Sequence, residues 1–318
     1  MPQPTAILGA PTAIGISPYR DGGARRLDLT PGALRELHLV ERLRAHDLGD
    51  VTSDVPYRDR ERPEGRVRNE DDVVAYSQAL GSRIAEVSAR HEFVVLLGGD
   101  CSILLGVLAG LRRARGAVGL AYIDAHADFA SLEESPSRSA CSMNLALAVG
   151  RGYDGPLSHL AADSALVEER HVAHLGRRDE DDTAYGSAAL RRSGIADLPA
   201  RAVRARSPAA AAADALARAT AAPGGFWIHL DVDVLDPALM PAVDSPLPDG
   251  LSTHELLELA RPLIRHPAAL GLQVTIYDPT LDPDRRGARL LVDLLAALLG
   301  DREAARELRR RDTSALGR

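Results

Sequence analysis

Phe226-Trp227-Ile228-His229-Leu230-Asp231-Val232-Asp233-Val234-Leu235-Asp236-Pro237 is an apolar run that ends in acid. It follows the breaker Pro223-Gly224-Gly225, and its apolar part, Phe226 to Leu230, has the length of a strand buried in a core. Asp231 and Asp233 have the same parity, so on a continuing strand both carboxylates project to one face at its end. Two such charges repel unless a divalent cation joins them, and carboxylate oxygens suit Mg, Mn or Zn. A solvated strand end, or a cap on the next helix, would use the same residues, so the surrounding chain has to decide.

Two further stretches have the same form. Phe93-Val94-Val95-Leu96-Leu97 is continuously apolar, as a parallel strand covered on both faces should be, and it closes on Gly98-Gly99-Asp100-Cys101-Ser102. Gly119 to Ile123 closes on Asp124-Ala125-His126-Ala127-Asp128, whose i, i+2, i+4 spacing puts all three side chains on one face if the segment stays extended. Ligands of parallel sheets gather at strand C-termini. Cys101, Asp124, His126, Asp128, Asp231 and Asp233 therefore make one candidate metal cluster, with Asp278, after the Leu272 to Tyr277 strand, a weaker addition. An imidazole and carboxylate set fits Mn or Zn better than Ca.

Working outward, Thr5 to Gly9 reads as a first strand and Gly49-Asp50-Val51 as a second. Thr30-Pro31-Gly32 starts a helix between them, with Thr30 as N-cap and Leu34, Leu37, Val40 and Leu43 as its stripe. Residues 55–70 are charged and contain Pro56 and Pro63, as an exposed connection would. Amphipathic spacing predicts a helix from Glu70 to Arg90, followed after the Phe93 strand by Ile103 to Arg113. A Ser- and Pro-containing loop from Phe129 to Met143 is long enough to line a site. Asn144 to Val149 reads as a short helix, His171 to Leu175 as a strand, and the Ala-rich Pro208 to Ala221 as a helix. Ser252-Thr253-His254-Glu255 caps another helix, and residues 286–310 read as the last. Strands alternate with helices without repeat or boundary, which predicts an α/β fold in a single domain, 1–318.

Composition narrows the function classes. A net charge of −7 offers no basic footprint for nucleic acid, and no apolar run reaches bilayer length. All of the positive charge is Arg, which reflects genomic composition rather than function. Cys101 and Cys141 make no disulfide framework, and the N-terminus lacks a secretory pattern, so a cytoplasmic protein is expected.

Gly-Gly-Asp-Cys-Ser at 98–102, Asp-Ala-His-Ala-Asp at 124–128 and Leu-Asp-Val-Asp-Val-Leu-Asp-Pro at 230–237 resemble, in order, the three metal-binding motifs of the arginase, agmatinase and formimidoylglutamase family, the ureohydrolases. Leu29-Thr30-Pro31-Gly32-Ala33-Leu34-Arg35 and Tyr277-Asp278-Pro279 are similar to that family too, so the resemblance covers nearly the whole chain. It implies a three-layer arginase-like fold, a mainly parallel eight-stranded sheet with helices on both faces, in a homotrimer or homohexamer. It also implies two divalent ions, usually Mn, bridged by Asp124 and Asp231. Cys101 and Asp128 would complete one ion, and His126 and Asp233 the other. A hydroxide held between the ions would then hydrolyse a C–N bond of a small linear guanidino or amidino substrate, with Asp128 passing a proton to the leaving amine.

Three departures qualify that expectation. Cys101 stands where the family has His, which adds weight to Zn or Fe as the bound ion. The loop after Asp128 lacks the family's His; Cys141 falls near its place, but a loop cysteine beside apolar neighbours is more often structural. Ile276 stands where the family has its guanidinium-binding Glu, so plain L-arginine is expected to be a poor substrate unless Asp278 or Glu134 substitutes. Asp179 and Asp181, in Gly176-Arg177-Arg178-Asp179-Glu180-Asp181, resemble the acids that recognise a substrate amino group, and a solvated acidic turn would look the same. Two alternatives stay open: a single-metal amide or hydroxamate hydrolase, and a non-catalytic, metal-stabilised family member.

Overall fold

The computed structural model describes residues 3–52, 64–161, 165–182 and 185–300. Eight strands pair in parallel throughout: β1 (Gln3–Gly9), β2 (His46–Asp50), β3 (His91–Leu97), β4 (Gly119–Ile123), β5 (Val172–Leu175), β6 (Ala196–Leu198), β7 (Phe226–Asp231) and β8 (Ala269–Thr275). Their order is β2-β1-β3-β8-β7-β4-β5-β6. The chain builds one flank with β1 to β3, crosses to build the other with β4 to β6, and fills the middle last with β7 and β8. The crevice at the carboxyl ends of the central strands lies where the two flanks part, the position at which parallel sheets bind ligands.

Strand residues alternate between two cores. Phe93, Val95 and Leu97 join Ile228, Leu230 and the helices Pro208–Ala219 and Thr253–Arg265 on one side. Val94 and Leu96 join Tyr122, Trp227 and the helices Glu70–Arg90 and Ile103–Arg115 on the other. A sheet covered on both faces explains why the central strands read as unbroken apolar runs rather than alternating ones. The helices at 70–90 and 103–115 meet at glycines: a Cβ on Gly110 would lie 2.3 Å from the Gly81 carbonyl oxygen.

Several expectations change in detail. The helix predicted from Thr30 through Leu43 is broken in two, Thr30–Arg35 and Leu39–Leu43, by His38 in a left-handed conformation. Thr30 is inside the first of these rather than its cap, and its hydroxyl donates to the Tyr277 carbonyl. The last strand stops at Thr275, two residues short of Tyr277, because Ile276 takes a φ of 71°. Of the connection at 55–70, residues 55–63 lie outside the described residues, and its end is not exposed: Val67, Arg68 and Asn69 are buried. The closing helix is described over 286–300, and 301–310 lies outside the described residues. Ser252 and Glu255 form the expected capping box.

Candidate metal centre

All six side chains singled out as metal-capable come together at the carboxyl ends of β3, β7 and β4. The extended geometry expected of them does not occur. β4 ends at Ile123, and the segment to Asp128 is a loop whose last residue is left-handed, with φ 47°. β7 ends at Asp231, and Val232–Val234 turns as a 3-10 helix. Convergence comes from tight backbone capture instead: Asp231 Oδ1 accepts from the Asp233 N–H at 3.0 Å, Asp124 Oδ1 from the His126 N–H at 2.7 Å, and Asp233 Oδ1 from the Ala125 N–H at 3.1 Å. Turn chemistry of short acids, not strand parity, places the carboxylates.

Two groups of ligand-capable atoms result, Cys101 with Asp124, His229 and Asp231, and Asp124 with His126 and Asp233. They share Asp124. The Cys101 thiol lies 2.9 Å from Asp231 Oδ2, and His126 Nδ1 lies 2.9 Å from Asp233 Oδ2. Asp128 stands beside them, its Oδ2 accepting from the Tyr122 hydroxyl at 2.9 Å and the Asn144 amide at 2.7 Å.

The electrostatics fit a cation. Burial, added to by neighbouring carboxylates, pushes the carboxyls of Asp124, Asp128 and Asp231 well above their usual range. Burial opposes ionisation of Asp233 as well, yet the adjacent His126 imidazole holds its carboxyl below the usual range. His126 in turn is raised to about 10: burial pulls it down, but Asp233, Asp124 and Asp128 more than offset that. Burial also drives the Cys101 thiol upward and His229 down to about 3. Four acids crowd one imidazole, and Asp124 Oδ2 has no hydrogen-bond partner. Divalent ions would neutralise this set and occupy that oxygen, and thiolate, imidazole and carboxylate are all donors to first-row metals.

The cluster lines a cavity of about 430 Å³ together with Ile16 to Arg20, Arg25 and Arg68 and with Pro136, Ser137, Ser139, Cys141 and Ser142. The loop expected to line a site does so. Asp100 anchors these stretches without facing the cluster: it accepts from the N–H groups of Gly15 and Ser102 and from the Cys141 thiol. Ile276 lines the cavity where the family's acid was expected. Neither proposed substitute reaches it. Asp278 is spent on the Tyr19 hydroxyl, the Arg26 N–H and Thr280, and Glu134 is an exposed acceptor for Ser131. Outside the metal cluster, Asp244 is the one acid lining the cavity among the described residues, and it is paired with Arg25, which stacks on Tyr19.

Asp179 and Asp181 border a smaller adjoining cavity that shares His126, Tyr185 and Ser245 with the first. Asp179 is buried and braces the Asp124–Asp128 loop, accepting from the Ala127 N–H at 2.7 Å and from Arg177 at 3.3 Å; Asp181 is exposed. Arg178 holds the turn after β7 through the carbonyls of Asp233 and Val234. Sequence reading offers His229, with His171, His174 and His254, as a possible ligand or base but assigns none of them chemistry, and it passes over Asp244 and Tyr185. Parity with Asp231 was the available signal for His229.

A parallel α/β sheet carrying buried carboxylates, a thiol and an imidazole at the carboxyl ends of its central strands defines the class: an α/β protein with a candidate divalent-metal centre. Within that class the chain belongs to the arginase family, whose family model matches residues 3–300, and it is an arginase-family hydrolase acting on C–N bonds. The arginase of Bacillus caldovelox is 29% identical over 94% of this chain and 99% of its own, and that of Agrobacterium fabrum is 29% identical over 93% and 90%. The solved Bacillus caldovelox arginase superposes with a TM-score of 0.82 at 28% identity, covering 93% of this chain and 98% of its own. Formimidoylglutamase from Bacillus subtilis, at 21% identity and TM-score 0.70 over 94% and 87%, shares the fold. No helix among the described residues is long and apolar enough to cross a membrane.

Proposed function

We propose that this chain is a cytoplasmic, homo-oligomeric, single-domain hydrolase (1–318) that cleaves a C–N bond of a small linear guanidino or amidino compound other than plain L-arginine, using two divalent ions. The convergence of Cys101, Asp124, His126, Asp128, Asp231 and Asp233 in one cavity carries this reading. Two ligand groups sharing Asp124 support two ions rather than one. Asp124 and Asp231 would bridge them, Cys101 and Asp128 would complete one, and His126 and Asp233 the other, with Mn the expected ion and Zn or Fe favoured in proportion to how strongly the thiol binds. Bound there, the ions would supply Lewis-acid activation of water at neutral pH.

The chain's own residues supply the rest. Tyr122 and Asn144 hold Asp128 by its Oδ2, which leaves Oδ1 to take a proton from the attacking water and return it to the leaving amine. Asp179 and Asp181 would meet a polar group of the substrate from the adjoining cavity that both line, and Asp179 and Arg178 also keep the loops after β4 and β7 in register. Specificity follows from what faces the reacting carbon. An apolar Ile276 and an Asp244 already paired with Arg25 leave a cationic guanidinium without its own acid, and burying an unpaired cation costs several kcal/mol. A less basic guanidine, an N-hydroxyguanidine or an amide-like group escapes that cost. Metal analysis combined with urea detection across a guanidine panel tests the proposal. A protein that binds no transition metal sinks it, and one ion per chain with amide turnover would favour the single-metal hydrolase instead.

A further inference from the structure

Reading the cluster as a metal centre leaves one buried group without a task. His229 lies on β7, two residues before Asp231 and on the same face, and it is fully enclosed. Its Nε2 is 3.6 Å from Asp124 Oδ2, and neither atom has a hydrogen-bond partner. It is also near enough to Cys101, Asp124 and Asp231 to be a fourth ligand. Donor and ligand are opposite roles for the same nitrogen, since one needs a hydrogen there and the other a lone pair.

The groups behind the ring decide between them. Trp227 Nε1 can only donate, so the Gln273 atom 2.9 Å from it is the amide oxygen. The nitrogen of that amide then faces His229 Nδ1 at 2.7 Å. An amide NH2 donates, so Nδ1 accepts and carries no hydrogen. The imidazole hydrogen must be on Nε2, the side facing Asp124. Tyr122 stacks flat on the ring, with centroids 4.2 Å apart and planes at 5°, so the ring stays in this plane. Turning it over would set carbon atoms against both Gln273 and Asp124.

We infer that His229 is an N–H donor to Asp124, held in that tautomer by Gln273 and Trp227, and is not itself a metal ligand. To bind an ion through Nε2 the neutral ring would have to move its hydrogen to Nδ1, where it would point at the amide hydrogens of Gln273 across a buried contact. Gln273 cannot flip to receive it without turning its NH2 onto the Trp227 N–H. As a donor, His229 faces Asp124 Oδ2 across 3.6 Å, a polar approach that a small shift would tighten to a hydrogen bond, while the His126 N–H holds Oδ1; each oxygen keeps a lone pair for an ion. The carboxylate shared by the two ligand groups is thereby oriented in advance. His229 is thus a positioning residue.

This inference rests on the metal reading, and its test begins where that reading is not needed. In metal-free protein labelled with 15N-histidine, the long-range 1H–15N spectrum, assigned by comparison with His229→Gln, is expected to show the Nε2–H tautomer. Gln273→Glu is expected to reverse it by offering Nδ1 a carboxylate oxygen. In titrations with Mn2+ and Zn2+, His229→Ala should keep the wild-type stoichiometry and bind about tenfold more weakly. His229→Gln, whose amide still donates to Asp124, should recover most of that loss. An Nδ1–H tautomer in the wild type, unchanged affinity in His229→Ala, or loss of one ion per chain in both variants would each overturn the inference. A chain that takes up no divalent ion would fail the metal reading instead, and the tautomer result would tell the two failures apart.

Discussion

Replacing Ile276 with glutamate should move this protein toward cationic guanidines. Ile276 lines the cavity, is only 4% exposed, and carries a β-branched side chain at a φ of 71°. That conformation costs an L-residue roughly 1–2 kcal/mol, most for β-branched residues. Glutamate, unbranched at Cβ, fits the position with less strain, so the backbone does not resist the change. Before substrate binds, the buried new carboxylate gets no help from Arg25, which is committed to Asp244, and the variant should lose about 1–3 kcal/mol of stability through desolvation. With a guanidinium present it gains a charge-assisted hydrogen bond worth about 1.5–3 kcal/mol, or roughly 10- to 150-fold in kcat/KM. The assay is urea release from L-arginine and agmatine at equal metal occupancy, with an uncharged guanidine analogue as the internal control. A folded, metal-loaded variant that handles both cations no better than its parent would refute the assignment of Ile276 as the position facing the reacting group.

Asp128→Asn keeps the shape that Tyr122 and Asn144 grip and suits the left-handed backbone, yet removes the proton acceptor and an anionic ligand; at equal metal content turnover should fall by about 10²- to 10⁴-fold. Burial raises Asp124, Asp128 and Asp231 in the folded, metal-free chain above the unfolded value near 3.9. The native state then holds protons that the unfolded chain has released, so stability should fall as pH rises from about 4 toward neutrality. Mn2+ or Zn2+ replaces those protons, and the metal-induced rise in Tm should widen with pH; a rise of constant size would contradict this. Ser252→Ala removes one half of the capping box on the helix Thr253–Arg265 and should cost about 1 kcal/mol by denaturant unfolding, without affecting metal content.

Much of the architecture was legible because a sheet covered on both faces writes its strands as unbroken apolar runs, and Phe93–Leu97 and Phe226–Leu230 end abruptly in metal-capable residues. The six cluster residues were legible for the same reason. Their geometry was not. Parity assumes that the chain stays extended, whereas Asp231 and Asp124 each capture a nearby N–H and bend the chain after them. Asp179 shows the same limit from the other side. Its spacing suggests substrate recognition, but it does not reveal that the side chain also accepts from the Ala127 N–H, 52 residues away. His229 carried only its parity with Asp231 as a signal, since its role is set by Trp227, Gln273 and Tyr122, which meet only when β7, β8 and β4 are side by side. The Arg25–Asp244 pair joins residues 219 apart in sequence and leaves no local trace.

The strand order has a consequence for the life of the chain before it is finished. Synthesis delivers the two flanks of the sheet first, and the strands that join them, β7 and β8, come last. Until those strands arrive, the loops bearing Cys101 and Asp124 belong to separate halves, and Asp231 and Asp233 are not yet in place between them. A growing polypeptide therefore has no complete binding cage to trap a passing ion in the wrong partial structure. Any ions that the proposed centre takes would be captured only once the sheet closes, which would make a filled centre a signature of a completely assembled subunit.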